Sequence, residues 1–294
     1  MIKRRKDAMP YIFLLPAAFF ILAFLAYPLL TVFFYSFQNY SITNLADQGF
    51  AGLENFAALF QDDIFYRSLG VSLKWVLVEV AAQLLIGLVL ALLLDAKFPG
   101  RGLYRCVVFF PWAVSGVLTS MLWSLIYNEN VGLLNSILKD IGLIDKNIAW
   151  LGNTDVVFKA VSVAEIWRGI PFFAITILAA LQNIPADLHE ASVVDGAAPW
   201  QEIFLIKLPI LKDTIILTTL LRAVWEFNNV DLIFTLTGGG PSYRTTTLTM
   251  YMTNMSVKNG DYGYGSALAV IAFIILLIFA IIYLKLSGYG KEDA

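Results

Sequence analysis

The sequence predicts an all-α integral membrane protein with six transmembrane helices and both termini in the cytoplasm. Three observations predict it. Hydrophobic residues make up 59% of the 294 and charged residues only 14%, with a mean hydropathy of +0.74, outside the range of soluble globular chains. Six stretches are long and apolar enough to cross a bilayer, which takes about 20 predominantly apolar residues. The basic residues between them are biased toward alternate connecting segments, the pattern that sets orientation.

The spans fall near residues 11–36, 69–95, 104–127, 157–182, 209–235 and 264–286. Lys3, Arg4, Arg5 and Lys6 precede the first, so a cleaved signal peptide is the competing reading. Residues 11–35 are too long for its apolar core and lack a small-x-small cleavage site before polar sequence, which makes this stretch an uncleaved first span. Pro16, Pro28, Pro111 and Pro171 lie within spans. In lipid such breaks survive where neighbouring helices satisfy the freed backbone groups, so a packed bundle with kinked members is expected.

Orientation follows from charge. One side carries Lys3 to Lys6, then Lys97, Arg101, Arg105, Lys207, Lys212, Lys285 and Lys291; the other carries Arg67, Lys139, Lys146, Arg244 and Lys258. The positive-inside bias puts the first side, with both termini and the segment around Glu190, in the cytoplasm.

Composition also excludes classes. A net charge of −2 suggests no nucleic-acid partner. Cys106 cannot form an internal disulfide and is expected to pack as a small hydrophobe. His189 has no companion for a metal site, and no zinc spacing occurs. No internal repeat or low-complexity linker divides the chain, so residues 1–294 are read as a single transmembrane domain.

Of the external segments, residues 38–67 place Phe50, Leu53, Phe56, Leu59 and Phe60 in the pattern of a short amphipathic surface helix. Residues 128–155 mix Asn and Gly with apolar residues and predict short surface helices. Residues 237–262 hold Gly238, Gly239, Gly240 and Pro241, then a Thr-rich run.

The cytoplasmic loop 184–209 is the most ordered polar stretch. A short helix beginning after Pro185 puts Asp187 in its first turn, where the helix dipole favours an acid, and ends near Gly196, which tolerates a left-handed stop. Small residues at 191, 192, 197 and 198 let a partner's groove close on it, and Glu190 and Asp195 offer carboxylates to basic groups. The spacing Glu190-Ala191-Ser192, three residues, Gly196, nine residues, Ile206-x-Leu208-Pro209 resembles the EAA motif of binding-protein-dependent ABC importer permeases, with Ser192 where Ala is commonest. Gly52-Leu53-Glu54-Asn55-Phe56 is similar to a signature that follows the first span in sugar permeases of the maltose-transporter type. Leu236-Thr237-Gly238-Gly239-Gly240-Pro241, followed by Thr246, Thr247, Leu248, Tyr251 and Tyr264-Gly265-Ser266-Ala267, is similar to the segment between their last two spans.

The resemblance implies a six-helix ABC importer permease core in a bacterial or archaeal cytoplasmic membrane. It implies a second homologous permease, two ATPase subunits that carry ATP and Mg and dock on the loop, and an extracytoplasmic sugar-binding protein contacting Gly238, Gly239, Gly240 and Pro241. The maltose-type subunit also has extra N-terminal spans and a large external domain; the six-helix core is what this sequence is expected to keep. No cofactor is expected in this chain. The glycine run is no phosphate loop, because GxxxxGK[ST] is missing and Pro241 has no amide proton to offer.

Ionisable and polar groups inside spans are costly, so each is a candidate for the transport path. Trp75, Glu79 and Gln83 recur every four residues and share one helical face. Glu165 and Arg168 are three apart; Arg222 and Glu226 are four apart, with Trp225, Asn228, Asn229 and Asp231 close by. Aromatic rings beside amides and carboxylates suit a sugar, whose CH faces stack while its hydroxyls need donors and acceptors. The same pairs, Glu165 with Arg168 and Arg222 with Glu226, are equally what helix-fixing ion pairs look like. The resulting reading is a carbohydrate importer permease, with an oligosaccharide as the favoured substrate class, without catalytic or metal residues. Its alternatives are a glycerol-phosphate permease, an ion-coupled secondary transporter using the buried acids, and an intramembrane enzyme acting on lipid-linked sugars.

Overall fold

The computed structural model describes residues 9–290; Lys3 to Lys6 and Lys291, used above for orientation, lie outside them. In chain order the helices begin with α1 (Met9–Ile21), a wide turn at Leu22–Ala26, and α2 (Tyr27–Tyr35). A hairpin of β1 (Gln38–Asn39) and β2 (Gly49–Phe50) leads to α3 (Glu54–Phe60), α4 (Asp63–Asp95), α5 (Arg101–Ala113) and α6 (Gly116–Ile126). Then follow α7 (Leu133–Asp140), α8 (Val157–Leu181), α9 (Ala186–Val194), α10 (Pro199–Glu202), α11 (Leu208–Asn228), α12 (Asp231–Leu236), α13 (Leu248–Thr253) and α14 (Tyr262–Ser287).

Four of the six expected spans are helices long and apolar enough to cross a membrane, and the other two are corrected. Phe13–Tyr35, α4, α8 and α14 each meet the length and apolarity of a membrane helix. The third span, expected as one helix over 104–127, is α5 and α6 bent by 99°. The break is local: Val114 and Ser115 take extended backbone, and Ser115 Oγ caps α6 by accepting from the Leu118 amide. The fifth, α11, is 21 residues long but carries Lys212, Asp213, Arg222 and Glu226, and it stops at Asn229, whose extended backbone separates it from α12. Cys106 is a further correction: it is exposed on α5, because that helix turns Val108 and Phe109 inward instead.

The chain divides into two compact units. The first comprises the residues up to Asp62 with Met252–Ile274. Its hairpin is fastened to α3 by Asn55, whose amide nitrogen donates to the carbonyls of Ser36 and Gln38 at 3.0 and 2.9 Å. The surface helix expected after the first span is α3, with Leu59 buried and Phe60 exposed.

The second unit comprises Asp63–Tyr251 and the residues from Ile275 onward. Its axis is the α4–α8 pair. Gly87 makes their close approach possible: a Cβ there would stand 2.6 Å from Phe173 Cβ and 3.1 Å from the Ala174 amide. Around it pack Val80, Ala91 and Leu94 of α4, Phe173, Ile177 and Leu181 of α8, and Leu211 and Ala223 of α11. A second apolar cluster joins Trp75, Val157, Val161, Leu232, Ile233 and Met250. Within a bilayer such clusters hold helices together by close van der Waals packing and not by exclusion of water.

Candidate functional site: a buried ion-pair cluster and a cytoplasmic helix

The shared face of α4 delivers Trp75, Glu79 and Gln83 to the bundle interior, all at most 1% exposed. Opposite them stand Glu165 and Arg168 of α8 and Arg222 and Glu226 of α11. Arg168 grips Glu165 with two hydrogen bonds, Nε to Oε2 at 3.0 Å and Nη2 to Oε1 at 2.8 Å. Arg222 pairs with Glu226 one turn on and also reaches Glu165 Oε1 at 3.2 Å. Its Nε donates to Gln83 Oε1 at 2.7 Å, and Gln83 Nε2 donates to Glu226 Oε1 at 3.1 Å, which fixes the orientation of the amide. Trp75 Nε1 donates to Glu226 Oε2 at 3.2 Å. The two ion pairs expected separately are therefore one network across three helices. Glycine admits it: a Cβ on Gly169 would overlap the Gln83 amide and the Arg222 guanidinium.

One side of the network opens on a cavity of about 310 Å3 walled by Trp112, Arg168, Arg222, Trp225, Glu226, Asn228 and Asn229. Trp225 is 49% exposed and its ring packs 5.2 Å from that of Phe172. Asn229 Nδ2 lies 3.5 Å from Glu226 Oε2, while Asn228 donates back to the Val224 carbonyl. Glu79, Gln83 and Glu165 lie behind this wall at 0% exposure. Asp231 heads α12 and flanks Gly116 together with Arg168. Trp112 is the wall residue that sequence reasoning passed over; its signal was its place beside Pro111 at the bend.

The glycine loop is held from within. Thr246 Oγ1 donates to the Gly239 carbonyl at 2.7 Å and Thr245 Oγ1 to that of Gly240 at 2.9 Å, and Gly239 has φ +91° with Thr246 against the space a Cβ would need. Gly239 is buried; Ser242, Tyr243 and Arg244 are the exposed residues just past Pro241.

At the other end of α4 and α8 sits α9, with the bounds expected from Pro185 and Gly196. Asp187 is in its first turn. Its C-terminus is a Schellman stop: Gly196, at φ +74°, donates to the Val193 carbonyl and Ala197 to that of Ser192. Glu190, Ala191, Val193, Val194 and Asp195 are exposed, whereas Ser192 is turned inward with its hydroxyl on the His189 carbonyl. Ile206 lines the cleft beneath α9, Leu208 begins α11, and Pro209 lies in the first turn of α11, where its missing N–H has no helical partner to lose.

Glu202 ties these parts together. It accepts from His189 Nδ1 at 2.8 Å and pairs with Lys207 Nζ at 3.1 Å, and Lys207 stands 3.9 Å from Asp95 at the end of α4. Burial opposes the ionisation of Glu202, but the hydrogen bonds and positive charges of His189 and Lys207 outweigh it and hold the carboxyl below the usual carboxylate range.

The membrane-length helices α4 and α8, joined to α11 by a buried ion-pair network, with a polar cavity beside it and α9 exposed at one end, mark a multi-span membrane protein. The chain belongs to the family of binding-protein-dependent transport system inner membrane components, whose pattern matches residues 83–287. It is 34% identical over 291 residues to the trehalose/maltose transport system permease MalF of Thermococcus litoralis, covering 99% of this chain and 97% of that one. It is 34% identical to the sulfoquinovosyl glycerol transport system permease SmoG of Agrobacterium fabrum, covering 93% and 88%. Its fold matches a chain of a bacterial alginate ABC transporter solved with its alginate-bound periplasmic protein, with a TM-score of 0.84 at 23% identity over 96% and 94% of the two chains.

Proposed function

We propose that this chain is a permease subunit of an ABC importer for a carbohydrate, an oligosaccharide being the substrate class favoured. It pairs with a second homologous permease as one transmembrane domain. Two ATPase subunits, which hold ATP and Mg, dock on the exposed face of α9, and an external sugar-binding protein delivers the substrate. The observation that carries this reading is the chain of contacts from α9 through His189, Glu202, Lys207 and Asp95 to α4, whose interior face holds the cluster behind the polar cavity. A push on α9 is thereby delivered to the helices that shape the cavity, as alternating access requires. Trp112, Trp225, Asn228 and Asn229 supply rings and amides for sugar faces and hydroxyls. The relatives described above are named for sugar transport, which favours this reading over the glycerol-phosphate and ion-coupled alternatives.

The experiment is affinity purification of the tagged chain in mild detergent with mass spectrometry of its companions, followed by sugar-stimulated ATPase assays of the reconstituted complex. Recovery of an ATPase and a second permease is expected. A chain that emerges alone and well folded overturns the proposal.

A further inference from the structure

The ends of α4 and α8 remote from α9 carry a concentration of positive charge that neither the polar cavity nor α9 uses. Arg67, Lys74, Lys159 and Arg244 line one cavity of about 710 Å3, and Asp155 is the single carboxylate on its wall. Arg67 and Lys74 are seven residues apart on α4, so they share a face, and Gly70 between them leaves it open. Among the described residues none of the four cations is in an ion pair. Lys74 Nζ instead stands 4.1 Å from the ring centroid of Phe158.

The loop that brings Arg244 to the cavity is built at a cost. Ser242 and Tyr243 have φ of 50° and 61°, a left-handed geometry that is unfavourable for an aromatic residue and persists where the surroundings enforce it. The Thr245 and Thr246 hydrogen bonds to Gly240 and Gly239 supply that enforcement.

Four like charges around one space repel each other and attract an anionic surface. Four cations against one carboxylate on the wall give the space a net positive charge, so an anionic ligand matches it better than the hydroxyls of a neutral sugar do. Arg67 and Lys74 are about 10 Å apart along the helix axis, more than one carboxylate spans, so the fitting ligand presents several carboxylates across a surface. We propose that this cavity is the docking site for acidic side chains of the external binding protein. The inference rests on the importer reading above. Charge steering of this kind speeds encounter and fades as salt shortens the screening length.

The test uses the assembled transporter in nanodiscs, with a poly-glutamate peptide as probe, a poly-glutamine peptide as neutral control and an oligogalacturonate as the anionic-sugar arm. Poly-glutamate is expected to bind and poly-glutamine not, with affinity falling about tenfold or more between low and physiological salt. Lys74→Glu with Arg244→Glu is expected to abolish that binding while leaving basal ATPase activity in place. Lys74→Gln with Arg244→Gln carries the same expectation with a smaller loss, so a folding defect in the reversed variant does not decide the matter. Unchanged peptide binding in the glutamine pair overturns the proposal. So does tight oligogalacturonate binding without peptide binding, which assigns the cavity to an acidic sugar. Failure of the importer reading shows separately, as a complex that contains no ATPase.

Discussion

Nη2 of Arg222 lies 3.2 Å from Oε1 of Glu165, the same oxygen that Arg168 holds at 2.8 Å. One buried carboxylate therefore joins α8 to α11, and Arg222 is the only described group that touches Glu165, Glu226 and Gln83 together. Removing one partner of a buried pair leaves an uncompensated charge. Arg222→Ala is expected to lower stability by about 3–5 kcal/mol, whereas exchanging both Arg222 and Glu226 for methionine costs much less. The midpoint of thermal unfolding in detergent measures both. An Arg222→Ala variant as stable as the parent would remove the network from the forces that hold the helices.

Gly169 tests the same cluster without touching a charge. A methyl group there overlaps the Gln83 amide and the Arg222 guanidinium, and overpacking of this kind costs about 1–3 kcal/mol. Gly169→Ala is expected to unfold at lower temperature than the parent. Gly152→Ala, whose Cβ would meet Ala149 Cβ at an ordinary 3.6 Å, is the matched control and is expected to be silent.

How much of this was legible in the sequence depends on whether the determinants are local. Helix α9 was legible because Pro185 and Gly196 punctuate it and an acid occupies its first turn. The face of Trp75, Glu79 and Gln83 was legible from spacing alone. Its partners were not, because Gln83 and Arg222 are 139 positions apart and nothing in either neighbourhood specifies the other. Pro111 announced a kink in this span, but the sharpness of the 99° bend between α5 and α6 was hidden by continuous apolarity through Ala113 and Val114. Cys106 was misjudged because an apolar stretch has no polar face to show which side turns inward.

Trp225 and Asn229 carry the substrate side of the proposal. Both line the 310 Å3 cavity, Trp225 with its ring against Phe172 and Asn229 beside Glu226. Trp225→Ala and Asn229→Ala are expected to reduce uptake by about tenfold each, the loss of one aromatic or hydrogen-bonding contact of ~1–1.5 kcal/mol, while the complex still assembles. Uptake and co-purification measured on the same preparations separate the two effects. Normal uptake by both variants removes this cavity from the path.

Glu190 is exposed on α9 and has no ion-pair partner among the described residues, so its charge is free for a docking chain. Glu190→Lys reverses that charge without disturbing the helix stop at Gly196. The expected outcome is loss of the ATPase on purification, or retention of an ATPase that no longer responds to sugar. Wild-type coupling in this variant would falsify the assignment of α9 as the docking helix.

Acid should loosen the link between α9 and α4 before it affects the bundle. His189 and Lys207 hold the folded-state carboxyl of Glu202 below the usual carboxylate range despite its burial. A lowered folded-state value means that the ionised clamp contributes its full stabilisation above the unfolded-state value of roughly 4.3. That contribution is lost as pH falls through the lower, folded-state value. The clamp is thus intact at neutral and mildly acidic pH, and Glu202→Gln removes it at every pH. The variant is expected to show weakened coupling at pH 7, with sugar stimulation of the ATPase reduced several-fold, and to lack the increase in proteolysis at the α9–α10 turn expected of the parent as pH falls through the folded-state value of Glu202. Equal coupling in parent and variant at pH 7 would mean that movement of α9 reaches α4 by packing alone, without the Glu202 contacts.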